Sequence, residues 1–183
     1  MSDDTQTSRP YGGNTRAAWL ATATGIPIYV ILSAVVWGPG VALYAAIADE
    51  PGATVDSAAL AVIAAVGILI AVVGIAFVAH TVGRVVFART NDQELGKAAV
   101  AFGAMAAVLA VVPVVLIAMG QDDPWAAAAA SVVIILFPCA LTSAATRALL
   151  PSVDRFAALR TAVIVLLVLA VIAVVVFTFY AFV

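Results

Sequence analysis

Five long runs of apolar residues divide this chain, and four short polar connections separate them. Each run is long enough to form a helix that crosses the roughly 30 Å of hydrocarbon in a bilayer, which takes about 20 residues. The chain is 66% hydrophobic and only 10% charged, whereas soluble domains carry about 25% charged residues. This pattern excludes a water-soluble globule. It predicts an all-α integral membrane protein, a five-span transmembrane helix bundle.

The predicted spans form a single transmembrane helical domain over residues 17–183, preceded by a polar tail. Residues 1–16 contain Pro10 and two glycines, and we expect them to be a disordered cytoplasmic tail. Asp123 and Pro124 are typical of a helix start, so they begin the fourth span, and Pro151 follows its end. The spans lie at approximately residues 24–48, 57–83, 97–119, 124–149 and 161–183.

The basic residues are segregated to one side of the predicted membrane. All of them fall in the tail, in the second connection or in the fourth: Arg9, Arg16, Arg84, Arg89, Lys97, Arg147, Arg155 and Arg160. The other two connections carry only acids: Asp49, Glu50, Asp56, Asp122 and Asp123. Because cationic loops are retained in the cytoplasm, this asymmetry predicts an N-terminus inside and a C-terminus outside.

The first run could instead be a signal peptide that is cleaved after Ala48. The three residues that end in Ala48 have the small-x-small form of a cleavage site. However, the apolar stretch is about twice the usual 7–15 residues, and the tail has no net positive charge. These features favour a retained membrane span.

Small residues mark the helix faces that we expect to pack together, because close backbone approach drives helix association in lipid. Along the third span they recur at spacings of three and four, so we expect this helix to be central and the fifth to be peripheral. The packing candidates are Gly67, Gly74, Gly96, Gly103 and Ala110. The two basic hairpins, second with third span and fourth with fifth, look loosely alike, which leaves a parallel repeat open.

Prolines within the apolar runs predict kinks, because each removes one backbone donor from its helix. The candidate kinks lie at Pro39, Pro113 and Pro138. Pro39 stands between two glycines in the middle of the first span, where neighbouring helices would have to cover the freed backbone groups.

Four polar residues within the spans are candidates for function. His80 could transfer protons or ligate a metal or haem, or it could be an interfacial side chain that reaches the headgroups. No second histidine or nearby acidic cluster completes a site, which favours the interfacial interpretation. Tyr29, Ser33 and Thr142 either line a small polar cavity or form hydrogen bonds between helices.

The sequence carries no pattern typical of catalysis. It has no Ser/His/Asp constellation, no phosphate-binding loop and no paired acids within the spans, so we expect no enzyme. We expect no cofactor and no metal, since Cys139 is the single cysteine. The absence of a basic run argues against nucleic-acid binding.

We therefore expect a small non-catalytic multi-pass membrane protein, an accessory or structural subunit that acts through helix contacts in a larger assembly. The alternative is a small permease or channel component with a path lined by the first and fourth helices. The expected partners are the lipid bilayer and other membrane subunits or further copies of the chain. The Ala/Val-rich composition resembles that of bacterial membrane proteins, which predicts the bacterial inner, or plasma, membrane.

Overall fold

A computed structural model describes residues 15–48, 57–90 and 92–182, and within these ranges the chain is helical and has no strands. Residues 1–14 of the predicted tail lie outside the described residues, as do Asp49, Glu50 and Asp56. The helices are α1 (Thr15–Ile47), α2 (Ser57–His80), α3 (Val82–Thr90), α4 (Leu95–Met119), α5 (Pro124–Ser131), α6 (Phe137–Arg155) and α7 (Ala157–Phe182). A π-helical turn, Val132–Leu136, joins α5 to α6.

Four helical stretches are long and apolar enough to cross a membrane. They are α1, α4, the continuous stretch Pro124–Arg155 and the part of α7 over Ala157–Tyr180. A bent pair, α2 with α3, makes a fifth if the two helices count as one span, and the angle between them is 46°. The all-α membrane protein predicted from the sequence is therefore confirmed at this level.

The second predicted span, residues 57–83, ends earlier than expected because the chain bends at Thr81. The Thr81 amide donates to the Val78 carbonyl, a tighter pairing than in an α-helix. Gly83 is required here, because a Cβ at this position would lie 2.8 Å from the Val78 carbonyl oxygen. The bend sends α3 away from the axis of α2.

The predicted basic connections are largely helical. α1 begins at Thr15, within the predicted tail. α6 continues through Pro151 to Arg155 and does not end before that proline. Backbone hydrogen bonds sustain a helix whether or not its side chains are apolar. Pro151 removes one donor only, the amide that would pair with the Arg147 carbonyl.

The first helix, not the third span, has the central position. α1 packs against α2, α5, α6, α7 and the π-helical turn, whereas α4 packs against α3, α5, α6 and that turn. The expectation that α4 is central was therefore wrong. α1 can pack on several sides because small or weakly polar residues are buried along it: Ala18, Thr22, Thr24, Gly25, Ser33 and Gly40. α7 contacts α1, α2 and α6.

The proline kink candidates occupy three different settings. α1 continues as a helix through Pro39, and α4 continues through Pro113. Pro138 lies two residues after the end of the π-helical turn, and the intervening Phe137 amide donates to the Val132 carbonyl. A regular α-helix would press the Pro138 ring against the Ile134 carbonyl, and the wider turn relieves that clash. The turn places the Ile134 side chain against α1 at Gly40.

The start of the fourth span is as predicted. The Asp123 carboxylate accepts hydrogen bonds from the amides of Trp125 (3.1 Å) and Ala126 (3.0 Å), and Pro124 occupies the first helical turn. These bonds pair amides that have no partner within the helix itself. The turn before α5 is thus fixed by local chemistry.

Candidate functional site

A cleft of about 800 Å³ lies between α2 and α4. Within the described part of the chain these two helices do not pack along each other. Residues of α1 and α6 line the cleft between them, and α3 runs from the end of α2 to a contact with α4. The volume falls within the 300–1,000 Å³ typical of small-molecule sites. This is the candidate functional site.

The length of the cleft along its helices is about the thickness of one leaflet of bilayer hydrocarbon. α1 lines it from Ala17 to Tyr29, and α4 lines it from Phe102 to Pro113. At about 1.5 Å of rise per residue, these segments are ~16–18 Å long. Half of the hydrocarbon thickness of a bilayer is about 15 Å. An acyl chain of one leaflet therefore matches the cleft in length.

Charge is confined to one end of the cleft. Among the described residues that line it, the charged ones are Arg84 on α3, Asp92 before α4 and Arg147 on α6. Two guanidinium groups and one carboxylate give this end a net charge of +1. The remaining lining is apolar or carries neutral polar groups, so the cleft combines a cationic end with a mainly apolar body.

Arg147 is the most buried of these charges, with only 4% of its surface exposed. Its guanidinium carbon lies 5.1 Å from the centroid of the Phe87 ring and 6.0 Å from that of Phe102. The negative faces of aromatic rings stabilise a cation that has been removed from water. α3 supplies Phe87 and α4 supplies Phe102, so the contact with Phe87 depends on the bend after α2.

From the sequence we expected Arg147 in a cytoplasmic connection, and its place in the cleft was not predicted. A signal was present in the spacing. Cys139, Ser143, Thr146 and Leu150 recur at intervals of three and four and all line the cleft, and Arg147 follows Ser143 by four residues. Residues at these intervals share one helix face.

The structure brings together two of the four polar candidates. Tyr29 and Thr142 both line the cleft. Ser33 is buried on α1 but does not line it. His80 also lies outside the lining, and its ring meets that of Trp19 edge to face, with 4.9 Å between centroids.

The threonine hydroxyls in the cleft wall differ from those of Thr22 and Thr24 on α1. Thr22 and Thr24 donate to the carbonyl four residues earlier, at 2.9 and 2.8 Å. The hydroxyls of Thr142 and Thr146 are buried and have no hydrogen-bond partner among the described residues. At Gly25 α1 comes close to both neighbours, since a Cβ there would lie 3.3 Å from the Ile75 Cγ2 and 3.4 Å from the Thr146 Oγ1. α1 and α6 thus meet across a glycine, with hydroxyls in the contact.

The five packing candidates are distributed over three environments. Gly103 lies against α6, where an added Cβ would be 3.2 Å from the Ala140 carbonyl oxygen. Ala110 is buried and lines the cleft. Gly74 also lines the cleft, and a Cβ there would meet no described atom within 4 Å. A Cβ at Gly67 or Gly96 would likewise meet none, so their roles in packing stay predictions.

Comparison of this chain with protein-family models, with curated proteins and with solved structures finds no match. The class of protein is therefore defined by the fold and the cleft. It is an all-α membrane protein with a mainly apolar cleft. The cleft is about as long as one leaflet is thick, and it carries a net positive charge at one end.

Proposed function

We propose that this protein acts by binding a molecule of the bilayer in the cleft between α2 and α4. It is a small, non-catalytic, multi-pass component of a bacterial plasma membrane, with five spans, an N-terminus inside and a C-terminus outside. The observation that carries the proposal is the cleft itself. An apolar cleft of this volume that stays between two membrane helices provides a surface for an apolar ligand.

From the sequence we expected an accessory subunit, with a permease or channel component as the alternative, and the cleft supports the alternative. An accessory subunit would act through its outer faces, and a permease or channel component needs an internal site. The cleft favours the second class, in the narrower form of a binding component. Tyr29 and Thr142, expected along a path between the first and fourth helices, support this choice because both line the cleft.

The proposed topology is supported by contacts among the basic segments. The Arg16 guanidinium, near the start of α1, donates to the Asp154 carboxylate near the end of α6 at 2.9 Å. Arg147 meets Phe87 of α3. The three cationic segments therefore converge at one end of the bundle, as a single cytoplasmic surface requires. A reporter that is active only in the cytoplasm should be inactive when fused after Val183.

Two matched glycines allow a direct test of ligand binding. Gly74 lines the cleft and a Cβ there would meet no described atom within 4 Å, so we expect Gly74→Leu to fill part of the cleft. Gly67 lies two turns earlier on α2 and outside the cleft lining, so Gly67→Leu is its control. The wild type and each variant would be extracted and purified in mild detergent, and their masses would be measured by native mass spectrometry. We expect a discrete bound mass on the wild type and on Gly67→Leu, and its loss from Gly74→Leu.

The same measurement separates the rival functions. Equal adducts on both variants, or none on the wild type, would contradict the binding function. A stoichiometric protein partner without a bound small molecule would instead support the accessory subunit. Flux assays in vesicles would follow only if the wild type and Gly67→Leu carry the bound mass and Gly74→Leu does not.

A further inference from the structure

The cleft also indicates the chemistry of its occupant, an inference that rests on the proposed function. We propose that the occupant is an anionic phospholipid of the cytoplasmic leaflet. Its headgroup phosphate lies against Arg84 and Arg147, and one acyl chain extends along the apolar body of the cleft. The second chain remains in the surrounding leaflet.

The charge at the cleft's end selects an anionic headgroup. Arg84 and Arg147 contribute two positive charges to the lining, and Asp92 contributes one negative charge. A guanidinium group presents parallel donors that match the oxygens of a phosphate. Basic pockets between transmembrane helices on the cytoplasmic side are sites where anionic lipid headgroups bind. A zwitterionic or neutral headgroup would gain less from this end.

The length of the cleft along its helices matches one acyl chain, and its charged end sets the orientation of the lipid. The lining extends over ~16–18 Å of helix, from the charged end to Tyr29 and Pro113. One leaflet of hydrocarbon is about 15 Å thick. The charged end belongs to the same end of the bundle as Arg16 and Asp154, where the cationic segments converge. A lipid with its headgroup there therefore belongs to the cytoplasmic leaflet.

The position of the cleft gives such a lipid a route. α2 and α4 are not packed along each other in the described part of the chain, so a chain can enter sideways from the bilayer. At the charged end, α3 contacts α4 and carries Arg84 beside the space. The aromatic rings of Phe87 and Phe102 hold the Arg147 guanidinium at this end.

The test uses two photoreactive lipids with identical diazirine-bearing chains, a phosphatidylglycerol and a diacylglycerol. The full-length protein is reconstituted in phosphatidylcholine vesicles with one or the other, illuminated and digested. The readout is the cross-linking yield on the α4 peptide that contains Met105, a residue in the cleft wall. We expect phosphatidylglycerol to label this peptide about tenfold more than diacylglycerol, since hydrogen bonds to charged groups are worth about one decade in affinity.

Two arginines of α3 provide the charge test and its control. Arg84 lines the cleft, whereas Arg89 is exposed and does not. Arg84→Gln should reduce phosphatidylglycerol labelling about tenfold, to the level of diacylglycerol, and Arg89→Gln should leave it unchanged. Arg147→Lys keeps the buried charge but loses the planar group, so we expect an intermediate loss. Arg84 is exposed, so this test does not require replacement of the buried arginine.

The outcomes distinguish a failure of the headgroup inference from a failure of the binding function. Equal labelling by both lipids, with loss of both in Gly74→Leu, would overturn the headgroup inference and leave the binding function standing. Labelling that neither Gly74→Leu nor Arg84→Gln changes would overturn both. If photoreactive palmitate labels the cleft in an Arg84-dependent way and phosphatidylglycerol does not, the occupant is a free acid and the phospholipid inference is wrong.

Discussion

The Arg147 guanidinium lies over the ring of Phe87, with 5.1 Å between the guanidinium carbon and the ring centroid. The contact joins α6 to α3 at the charged end of the cleft, beyond the C-terminal end of α2. A buried cation in a membrane protein is costly and tends to mark function. Here the cation has an aromatic neighbour on each of two other helices, Phe87 on α3 and Phe102 on α4. The bend at Thr81 brings the Phe87 ring close to the Arg147 guanidinium.

Loss of the Phe87 ring should therefore weaken the bundle. Phe87→Leu keeps most of the apolar volume but removes the ring face, and we expect the free energy of unfolding to fall by about 1–2 kcal/mol. Arg155 and Phe156 form a similar pair, 5.4 Å from guanidinium carbon to centroid, but Phe156 is exposed. Phe156→Leu should cost at most about 0.5–1 kcal/mol. Denaturant titration of both variants in mixed micelles measures the difference, and equal losses would contradict it.

The contact between Gly40 and Ile134 predicts a second, size-dependent effect. A Cβ at Gly40 would overlap the Ile134 side chain, whereas one at Gly38 would meet no described atom within 4 Å. Gly40→Ala should destabilise the protein by about 1–3 kcal/mol, as overpacking does, and Gly38→Ala should not. Ile134→Ala in the Gly40→Ala background should restore part of the loss. Thermal unfolding in detergent would show the rescue, and additive losses would count against a direct contact.

The approach of α4 to α6 is equally specific. Beside Gly103 an added Cβ would lie 3.3 Å from the Ala144 Cβ, a contact that alanine tolerates with a small shift and leucine does not. We expect Gly103→Leu to reduce stability by about 1–3 kcal/mol or more. Gly96→Leu, on an open face of the same helix, should be neutral. The fraction of each variant that elutes as a folded species in size-exclusion chromatography checks this, and a well-folded Gly103→Leu would show that the two helices are not in contact there.

The N-cap of α5 offers a local test. Asp123→Ala removes the acceptor for two amides at the start of α5 and should cost about 1 kcal/mol. Its neighbour Asp122 is exposed, so Asp122→Ala serves as the control with the same change in charge. Hydrogen exchange at the amides of Trp125 and Ala126 should accelerate in the first variant only. Protection that survives in Asp123→Ala would mean that the carboxylate does not hold this turn.

The sequence predicted what depends on hydropathy and on local capping. The apolar runs correspond to helices, and Asp123 caps the fourth span, because both features are decided by residues close in sequence. The bend after His80 was missed, because the two polar residues there, His80 and Thr81, do not by themselves predict a bend. Gly83 carried the signal, since only a residue without a side chain fits against the Val78 carbonyl.

The cleft could be predicted only in part, because it is a space between helices that are distant in the chain. Tyr29 and Thr142 were selected for their polarity and do line it. Arg147 was assigned to a solvated connection, since a charge near the end of an apolar run usually marks the interface. Its burial depends on Phe87, which lies sixty residues earlier. No local sequence pattern predicts the helix packing that places Arg147 next to Phe87.

The most direct test of the central claim is to find where an acyl chain sits on the protein. In bilayers that contain a lipid with a diazirine in mid-chain, cross-links should concentrate on Met105, Leu109 and other residues of the cleft wall. The outward residues of α7, such as Leu169 and Tyr180, are exposed to ordinary bilayer lipid and supply the background. We predict labelling of the cleft wall well above that background, and its reduction by Gly74→Leu. Labelling spread evenly over α4 and α7, and unchanged by Gly74→Leu, would contradict a bound molecule in the cleft.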